Sequence, residues 1–301
     1  MVESLLSIFT ACFPTAVRNP DYVRSVLSAP DNVIFTHREQ DVVVGALVLH
    51  KNTVYMLGVL PAYRNRGIGS QLLTQAEDAV RQAGYDTIVV GAGDEYLLPG
   101  VPTSQMLYEE PLQPACLVPG LDTHAVTFFA HRGYVHSWED SNCFDMRFPL
   151  RDLPDDIEPV GAVVDGVQYR FATPADMPAV LACTEAAYPE FTPYYTHKSA
   201  YEPDVRERVF VAWEQDRVVG TLLVGTETEG AGRGSVGCTT VLPAARGRHI
   251  GVNMVRIGTR YLRDAGLQEA FLGYTYSGLD KMYGYAGYRI CVYYMMAQKK
   301  L

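Results

Sequence analysis

The sequence predicts two tandem α/β domains, each a mixed, mostly antiparallel sheet flanked by helices. Three observations support this fold class. The chain has 301 residues, a length that suits two domains of ordinary size better than one. Residues 59–71 (VLPAYRNRGIGSQ) and 241–253 (VLPAARGRHIGVN) are identical at eight of thirteen positions, so a repeat recurs at an offset of 182 residues. In both copies a glycine-rich loop separates a strand from an amphipathic helix, which is typical of α/β folds.

The predicted elements follow the same order in both copies. Segments rich in β-branched residues predict strands, and apolar residues at helical spacing predict the helix after the loop. In the first copy these elements are strands at 41–50 and 53–60, a helix from Gly69 and a strand at 87–90. In the second copy they are strands at 209–213, 218–224 and 235–242, a helix from Gly251 and a strand at 267–274. The hairpins that precede each loop predict a mixed sheet.

We place the first domain at residues 1–150, a linker at 151–166 and the second domain at 167–301. Prolines and acidic residues interrupt every periodic pattern in the linker. The second domain opens with a strand at 167–171 and a helix at 175–188, whereas the first opens directly in a helical segment at 4–13. The first domain also carries about 28 extra residues near 94–122, an insertion long enough to suggest a functional or mobile loop.

Composition argues against several classes of partner. The chain has 25 Lys and Arg against 34 Asp and Glu, a net charge of −9, so we expect no nucleic-acid partner. Because no apolar stretch approaches the ~20 residues that span a bilayer, we expect no membrane partner. The N-terminus lacks the features of a secretory signal, so a cytoplasmic location is expected. No histidine stands at ligand spacing from Cys, Asp or Glu, and no metal is expected.

The loop at 64–70 is the clearest chemical motif. Glycines at a helix N-terminus let an anion approach the backbone closely, and the free N–H groups there point at it. Arg64 and Arg66 add positive charge. The loop lacks the lysine of a Walker motif, and a dinucleotide fingerprint would need a glycine where Leu72 stands. The loop therefore indicates a site for a diphosphate of another kind.

This arrangement resembles the acyl-CoA loop of the GNAT superfamily of N-acetyltransferases. The signature of that loop, (Arg/Gln)-x-x-Gly-x-(Gly/Ala), is met by Arg64, Gly67 and Gly69, and an aromatic-x-x-x-Gly-Tyr segment follows later in each copy. The resemblance covers nearly the whole chain twice and implies that acetyl-CoA is the co-substrate. The residues that it implies for cofactor binding are Val59, Arg64, Asn65, Arg66, Gly67, Ile68, Gly69 and Ser70 in the first copy, and Val241, Arg246, Gly247, Arg248, His249, Ile250, Gly251 and Val252 in the second.

The second loop departs from the signature because His249 replaces the middle glycine. A Cβ atom there would crowd a diphosphate, although the imidazole could instead donate a hydrogen bond to a phosphate. A histidine that caps the helix, or one that simply lies on the surface, is the alternative interpretation.

The resemblance implies a tyrosine as the general acid, which protonates the CoA thiolate as it leaves. Tyr283 occupies that position in the second copy, and Phe129 occupies it in the first. We therefore favour the second copy as catalytic and the first as a cofactor-binding or structural partner. Two tyrosines of the insertion, Tyr96 and Tyr108, could replace the missing acid. Tyr283 could also be a core residue of a tyrosine-rich segment.

No general base is assigned. Neither strand before a loop contains a carboxylate, and Asp94, Glu95 and Glu185 are better explained as surface residues. The acceptor site implied by the resemblance lies between the first two helices. In the second copy this segment is 188–197, whose aromatics could stack an apolar or cyclic amine or could pack inward.

The favoured function is an N-acetyltransferase that moves an acetyl group from acetyl-CoA to a primary amine by direct attack in a ternary complex. The alternative is a non-catalytic acyl-CoA-binding or regulatory protein. A transferase acting on aminoacyl-tRNA is disfavoured by the acidic charge. The sequence leaves the acceptor and the oligomeric state open.

Overall fold

The computed structural model of the chain describes residues 1–14, 20–91, 97–102, 124–138, 141–196, 207–226 and 232–301. These residues form two compact units. The first unit comprises Met1–Phe144 and Cys291–Leu301, and the second comprises Asp145–Ile290. No helix in the described ranges is both long and apolar enough to span a bilayer.

The elements are as follows. The first half of the chain forms α1 (Val2–Cys12), α2 (Pro20–Leu27), β1 (Asn32–Glu39), β2 (Val42–His50), β3 (Thr53–Val59), α3 (Ile68–Gln82), β4 (Thr87–Val90), β5 (Val101–Pro102), α4 (His124–Ala130), β6 (Val135–His136) and β7 (Cys143–Pro149). The second half forms β8 (Val163–Val164), β9 (Val167–Phe171), α5 (Met177–Ala187), α6 (Thr192–Thr196), β10 (Glu207–Glu214), β11 (Arg217–Thr226), β12 (Arg233–Val241), α7 (Ile250–Asp264), β13 (Glu269–Tyr276), α8 (Asp280–Tyr285), β14 (Arg289–Met295) and β15 (Ala297–Lys300).

The sheet of the first unit has the order β1-β2-β3-β4-β15-β6. β1, β2 and β3 form an antiparallel meander, and β15 pairs antiparallel with both β4 and β6. β3 and β4 are parallel because α3 connects them as a crossover. The sheet is therefore mixed and mostly antiparallel, as the sequence predicts.

In the second unit the strands lie in the order β7-β13-β12-β11-β10-β9-β8. β8 to β12 are joined by antiparallel pairs, and β12 pairs in parallel with β13 across α7. The two units thus repeat one pattern of strand, loop, helix and parallel strand. This confirms the predicted tandem α/β fold.

Each unit has its own apolar core. In the first, α3 buries one face against the sheet, and burial of each leucine or valine side chain there stabilises the fold by about 1.5–3 kcal/mol. The residues of that face are Leu72, Leu73, Ala76 and Val80. In the second unit Met254, Val255 and Leu262 of α7 are likewise fully buried. Both faces follow the helical spacing of the sequence.

The units are not contiguous in sequence, which differs from the expected division into 1–150 and 167–301. Residues 291–301 belong to the first unit, where β15 pairs with β4 from Ala297↔Val90 to Lys300↔Thr87. Most of β7 belongs to the second unit, where it lies beside β13. The offset between the two repeats does not predict that the C-terminal strand joins the first unit, because the partner of a strand depends on tertiary pairing and not on its position in the repeat.

Among the elements of the first unit that sequence analysis did not predict are α2 and β1, which precede β2. β1 is an edge strand with polar residues at its end, so it lacks the continuous apolar run of β2. The helix α1 opens the unit, in agreement with the helical segment expected at 4–13.

Candidate functional site

The two glycine-rich loops have the same backbone conformation. Each contains two residues in the left-handed region, two positions apart. In the first loop these are Asn65 (φ 62°) and Gly67 (φ 81°), and in the second they are Gly247 (φ 77°) and His249 (φ 60°). Each loop therefore has a glycine at one of the two left-handed positions, but not at the same one. Asparagine tolerates this region well and histidine less so, which explains how both sequences reach one shape.

Matching hydrogen bonds hold both loops. The Nε of Arg64 donates to the carbonyl of Val59 at 2.9 Å, and the Nε of Arg246 donates to Val241 at 3.2 Å. The first helical hydrogen bond of α3 runs from the amide of Gln71 to Gly67 at 3.0 Å. The N–H groups of the preceding three residues therefore have no acceptor within the helix, and they are available to an anion. The same holds for α7, whose first bond runs to His249.

The expected cofactor residues occupy these loops and the first helical turns. Those at the loop surface are exposed: Arg64, Asn65, Arg66, Gly67, Arg246, Gly247, Arg248 and His249. Val59, Gly69, Ser70, Val241 and Val252 are half-buried, and Ile68, Ile250 and Gly251 are buried. A Cβ placed on Gly67 would meet no protein atom within 4 Å, so the space in front of the first loop is open. His249 occupies the N-cap of α7 without a side-chain capping bond, so the structure does not support the capping interpretation, and donation to a phosphate stays a prediction.

The second arginine of each loop has a different partner. Arg248 forms a bidentate ion pair with Glu214, with distances of 2.6 and 3.0 Å, and the arginine lowers the pKa of that carboxyl. Arg66 instead donates to the carbonyl of Ala62 at 3.1 Å and lies 5.2 Å from the ring centre of Tyr63. The positive charge of the second loop is therefore partly neutralised by its own domain.

An additional cation lies at the first loop. The guanidinium of Arg132 donates to the Ser70 hydroxyl in the first turn of α3, and it stacks 3.7 Å from the ring centre of Phe128. The equivalent residue of the second copy is Ala286. Sequence analysis missed Arg132 because it searched only the loop itself for positive charge.

The pairing between the two parallel strands beside each loop is short. In the second unit β12 and β13 pair at Arg233↔Glu269 and Gly234↔Ala270, although β12 continues to Val241 and β13 to Tyr276. These two strands therefore separate toward their carboxyl ends, on the side of the loop and the helix N-terminus, and we call this region the opening. In the first unit β3 and β4 pair at Thr53↔Val89 and Val54↔Val90, where β4 ends, while β3 continues to Val59.

The opening of the second unit contains a β-bulge. Thr221 pairs with Thr240 and Leu223 pairs with Gly237, so Cys238 and Thr239 together face Leu222. Cys238 has a left-handed backbone (φ 49°), and residues 237–239 are half-buried although β12 is an interior strand. In the first unit the matching part of β3 stays in register with β2, and the irregularity falls at Tyr55, between the pairs Val48↔Met56 and Leu49↔Val54.

Tyr283 lies at this bulge. It projects from α8, is only 4% exposed, and its phenol oxygen is 3.1 Å from the hydroxyl of Thr239. Burial raises the pKa of Tyr283 well above its ordinary value, so the phenol stays protonated across neutral pH. The buried Phe129 of α4 occupies the matching place in the first unit and packs edge-on against Tyr134. Tyr283 is therefore buried like a core residue, and its hydroxyl also has a polar partner, Thr239, at the opening.

A buried polar network underlies the bulge. The phenol of Tyr195, which is fully buried, donates to the carbonyl of Cys238 at 2.7 Å. Thr221 and Thr240 share a 2.6 Å hydrogen bond between their hydroxyls. Because these bonds satisfy polar groups in a dry environment, they fix the bulge in one conformation.

The aromatic segment after α5 divides between core and surface. Tyr195 packs inward, whereas Tyr188 and Tyr194 are 38% and 51% exposed. Tyr188 packs edge-on against Phe191 with ring centres 4.5 Å apart, and Glu185 nearby is exposed and accepts a hydrogen bond from Thr192. Tyr96, Tyr108, Asp94, Glu95 and His197 lie outside the described residues, as does most of the insertion at 94–122. Within the described ranges, no group of three or more His, Cys, Asp or Glu side chains could hold a metal ion.

Sequence analysis missed Thr239 and Tyr195. The strand before the second loop was searched for carboxylates, so its hydroxyl was overlooked. The bulge of this strand is visible only in its pairing with β11, and Tyr195 holds it by a bond from a distant part of the chain. A sequence signal did exist for Thr239, since the matching residue of the first copy is the apolar Leu57.

Comparison with known proteins identifies the family. The model of the acetyltransferase (GNAT) family matches the chain twice, at residues 2–96 and 178–285. No curated protein sequence matches the chain.

Solved structures share the fold across the whole chain. A glucosamine N-acetyltransferase region of a fungal multi-domain β-N-acetylglucosaminidase superposes with a TM-score of 0.72 at 20% identity, covering 99% of this chain and 36% of that one. A tandem GNAT protein from the clavulanic acid biosynthesis pathway gives 0.67 at 20% identity, with 99% and 94% covered. A GCN5-related N-acetyltransferase from Sphaerobacter thermophilus gives 0.67 at 17% identity, with 99% and 91% covered. With two matches to one family model and this shared tandem fold, the chain belongs to the GNAT acetyltransferase family.

Proposed function

We propose that the chain is an N-acetyltransferase that moves an acetyl group from acetyl-CoA to a primary amine by direct attack in a ternary complex. In this proposal the second unit is catalytic, and the first unit binds acetyl-CoA without turning it over. The observation that carries the proposal is the position of the Tyr283 hydroxyl, 3.1 Å from Thr239 in the bulge beside the diverging strands.

Both loops fit the diphosphate of acetyl-CoA. Each presents unbonded N–H groups of a first helical turn and exposed arginines, Arg64 and Arg66 in the first loop and Arg246 and Arg248 in the second. The first loop has the extra cation of Arg132, whereas Arg248 is held by Glu214. We therefore expect tighter binding of acetyl-CoA at the first loop than at the second.

The difference in chemistry follows from the side chains at the opening. The thioester supplies an activated acetyl group, and the group that leaves is a thiolate, which needs a proton. Tyr283 carries that proton at neutral pH, because burial disfavours the phenolate. Phe129 has no proton to give. The first unit therefore holds the co-substrate in a setting that does not promote its reaction.

The surface next to this opening suits an amine with an apolar body. The exposed rings of Tyr188 and Tyr194 offer stacking area and faces that attract a cation. The exposed carboxylate of Glu185 lies on the adjoining helix α5. These features favour a small amine acceptor over a bulky anionic one.

The test is the release of CoA thiol from acetyl-CoA, followed with a thiol reagent across a panel of aliphatic, cyclic and aromatic primary amines. We expect amine-dependent release well above an amine-free control, with N-acetylated product confirmed by mass spectrometry. Calorimetry should show acetyl-CoA binding in the same preparation. Binding without thiol release from any amine would instead support the regulatory alternative, and absence of binding would contradict both.

A further inference from the structure

We propose that Thr239 is a positioning residue that directs the proton of Tyr283 toward the departing sulfur. The inference deepens the proposed function and rests on it. Thr239 itself transfers no proton in the net reaction. Its part is to donate its own hydroxyl hydrogen to the phenol oxygen, so that the phenol hydrogen points away from the protein.

The geometry supports this role because the two hydroxyls are the nearest polar partners of each other at the opening. Their oxygens are 3.1 Å apart, and the rest of the Tyr283 ring is buried, with the ring of Tyr288 at 5.9 Å. A hydroxyl has one hydrogen to donate and can accept others. If Tyr283 donated to Thr239, its hydrogen would be occupied. When Thr239 donates instead, the phenol hydrogen is free for the ligand.

The threonine is held rigidly enough to set this direction. It is β-branched, which restricts its side chain to few rotamers. It also follows Cys238, whose left-handed backbone is fixed by the 2.7 Å hydrogen bond from Tyr195 to the Cys238 carbonyl. The bulge thus places the hydroxyl at the phenol rather than in line with the regular strand. A hydrogen bond donated to Tyr283 also favours its ionised form and lowers its pKa, which opposes the effect of burial and improves the phenol as an acid.

The first unit provides an internal comparison. At the positions matching Thr239 and Tyr283 it has Leu57 and Phe129, so both hydroxyls are replaced by apolar groups. A threonine that served only to stabilise a strand could be retained without the tyrosine. The joint replacement is the pattern expected of two groups that work as one unit.

In the reaction step, the amine nitrogen forms a bond to the acetyl carbon and the C–S bond breaks. Sulfur takes the phenol proton of Tyr283. The phenolate then takes, through water, the proton that the nitrogen loses, so the enzyme returns to its starting state. The hydrogen bond from Thr239 is strongest while the phenol oxygen carries negative charge.

The experiment compares Thr239→Val, which removes the hydroxyl at nearly constant volume, with Thr239→Ser, which keeps it. We expect Thr239→Val to lower kcat about tenfold while KM for acetyl-CoA changes less than twofold, and Thr239→Ser to retain kcat within about threefold. In a Tyr283→Phe background, Thr239→Val should cause little further loss, because the two hydroxyls act together. Equal losses for Val and Ser, or a full additional loss in the Tyr283→Phe background, would overturn the proposal.

A second readout does not require activity. With tyrosine labelled at its Cζ carbon, the NMR resonance of Tyr283 can be assigned by its disappearance in Tyr283→Phe. We expect this resonance to shift in Thr239→Val and to return close to its wild-type position in Thr239→Ser. A resonance that is insensitive to both changes would contradict the hydrogen bond. If the resonance responds as expected but no amine is acetylated, the proposed function fails while the hydrogen bond stands.

Discussion

The two units have nearly the same glycine-rich loop, but the side chains buried in the sheet beneath the loop differ. Their loops match in both left-handed positions and in the arginine that bonds back to the strand. Beneath the loop, the second unit buries the hydroxyls of Thr221 and Thr240 in contact with each other. The matching residues of the first unit are Ala46 and Gly58. The loops that we propose to bind an anion are alike in both copies, whereas the residues that we propose to lie near the reacting end of the ligand differ.

The packing of a helix on the sheet differs between the units at this point. In the first unit α1 lies so close to β3 that a Cβ on Gly58 would come within 2.6 Å of the Ile8 side chain. α1 and α5 each have eleven residues, and the seventh residue is Ile8 in α1 and Cys183 in α5. Cys183 is smaller than isoleucine and forms a hydrogen bond with the hydroxyl of Thr240. The first interior is therefore apolar here, and the second contains hydrogen-bonded hydroxyls.

The largest expected effect comes from Tyr283→Phe. Loss of the general acid should lower kcat by about 10²–10⁴-fold, while binding of acetyl-CoA measured by calorimetry stays near its wild-type value. Tyr288→Phe is the matched control, because Tyr288 is also a buried tyrosine of this segment but bonds to Thr259 at 2.8 Å. Equal activity of the two variants would mean that Tyr283 is only a core residue.

An intermediate effect is expected from exchanging the residues at the N-cap. His249→Gly should tighten acetyl-CoA binding to the second unit about two- to fivefold, because it removes the Cβ from the space that the diphosphate approaches. Gly67→His should weaken binding to the first unit by a similar factor. Calorimetric titration of acetyl-CoA into both variants measures the two changes in affinity. Weaker binding in His249→Gly would show that the imidazole instead donates to a phosphate.

The smallest effect is expected from Glu214→Gln. Removing this carboxylate frees Arg248 from its ion pair, and the gain of one exposed charge at the loop should tighten acetyl-CoA binding about two- to threefold at low salt. Glu39→Gln is the control, because Glu39 occupies the same hairpin position in the first unit but lies 3.7 Å from His37. An equal gain in both variants would point to the net charge of the chain rather than to Arg248.

Sequence analysis predicted the repeat, the strands and both loops because these depend on local patterns that recur at a fixed offset. The strand at 87–90 and the helix after each loop fall within a residue or so of their predicted positions. Two features were not predicted: the pairing of the C-terminal strand β15 with β4 of the first unit, and the bulge at Cys238. Both depend on partners far apart in the chain, β4 for the strand and Tyr195 for the bulge. The ion pair of Arg248 with Glu214 was missed for the same reason.

We propose that acetyl transfer takes place in the second unit alone, and the rates of two variants, one in each loop, test this. Gly67→Asp and His249→Asp each place a carboxylate at the left-handed N-cap of one loop, a conformation that aspartate adopts more readily than most residues, and there it repels a diphosphate. With the best amine of the panel, at acetyl-CoA concentrations below KM, we expect CoA thiol release by His249→Asp to fall at least tenfold and by Gly67→Asp to change less than twofold. Loss of activity in Gly67→Asp, with activity retained in His249→Asp, would assign the reaction to the first unit and contradict this account.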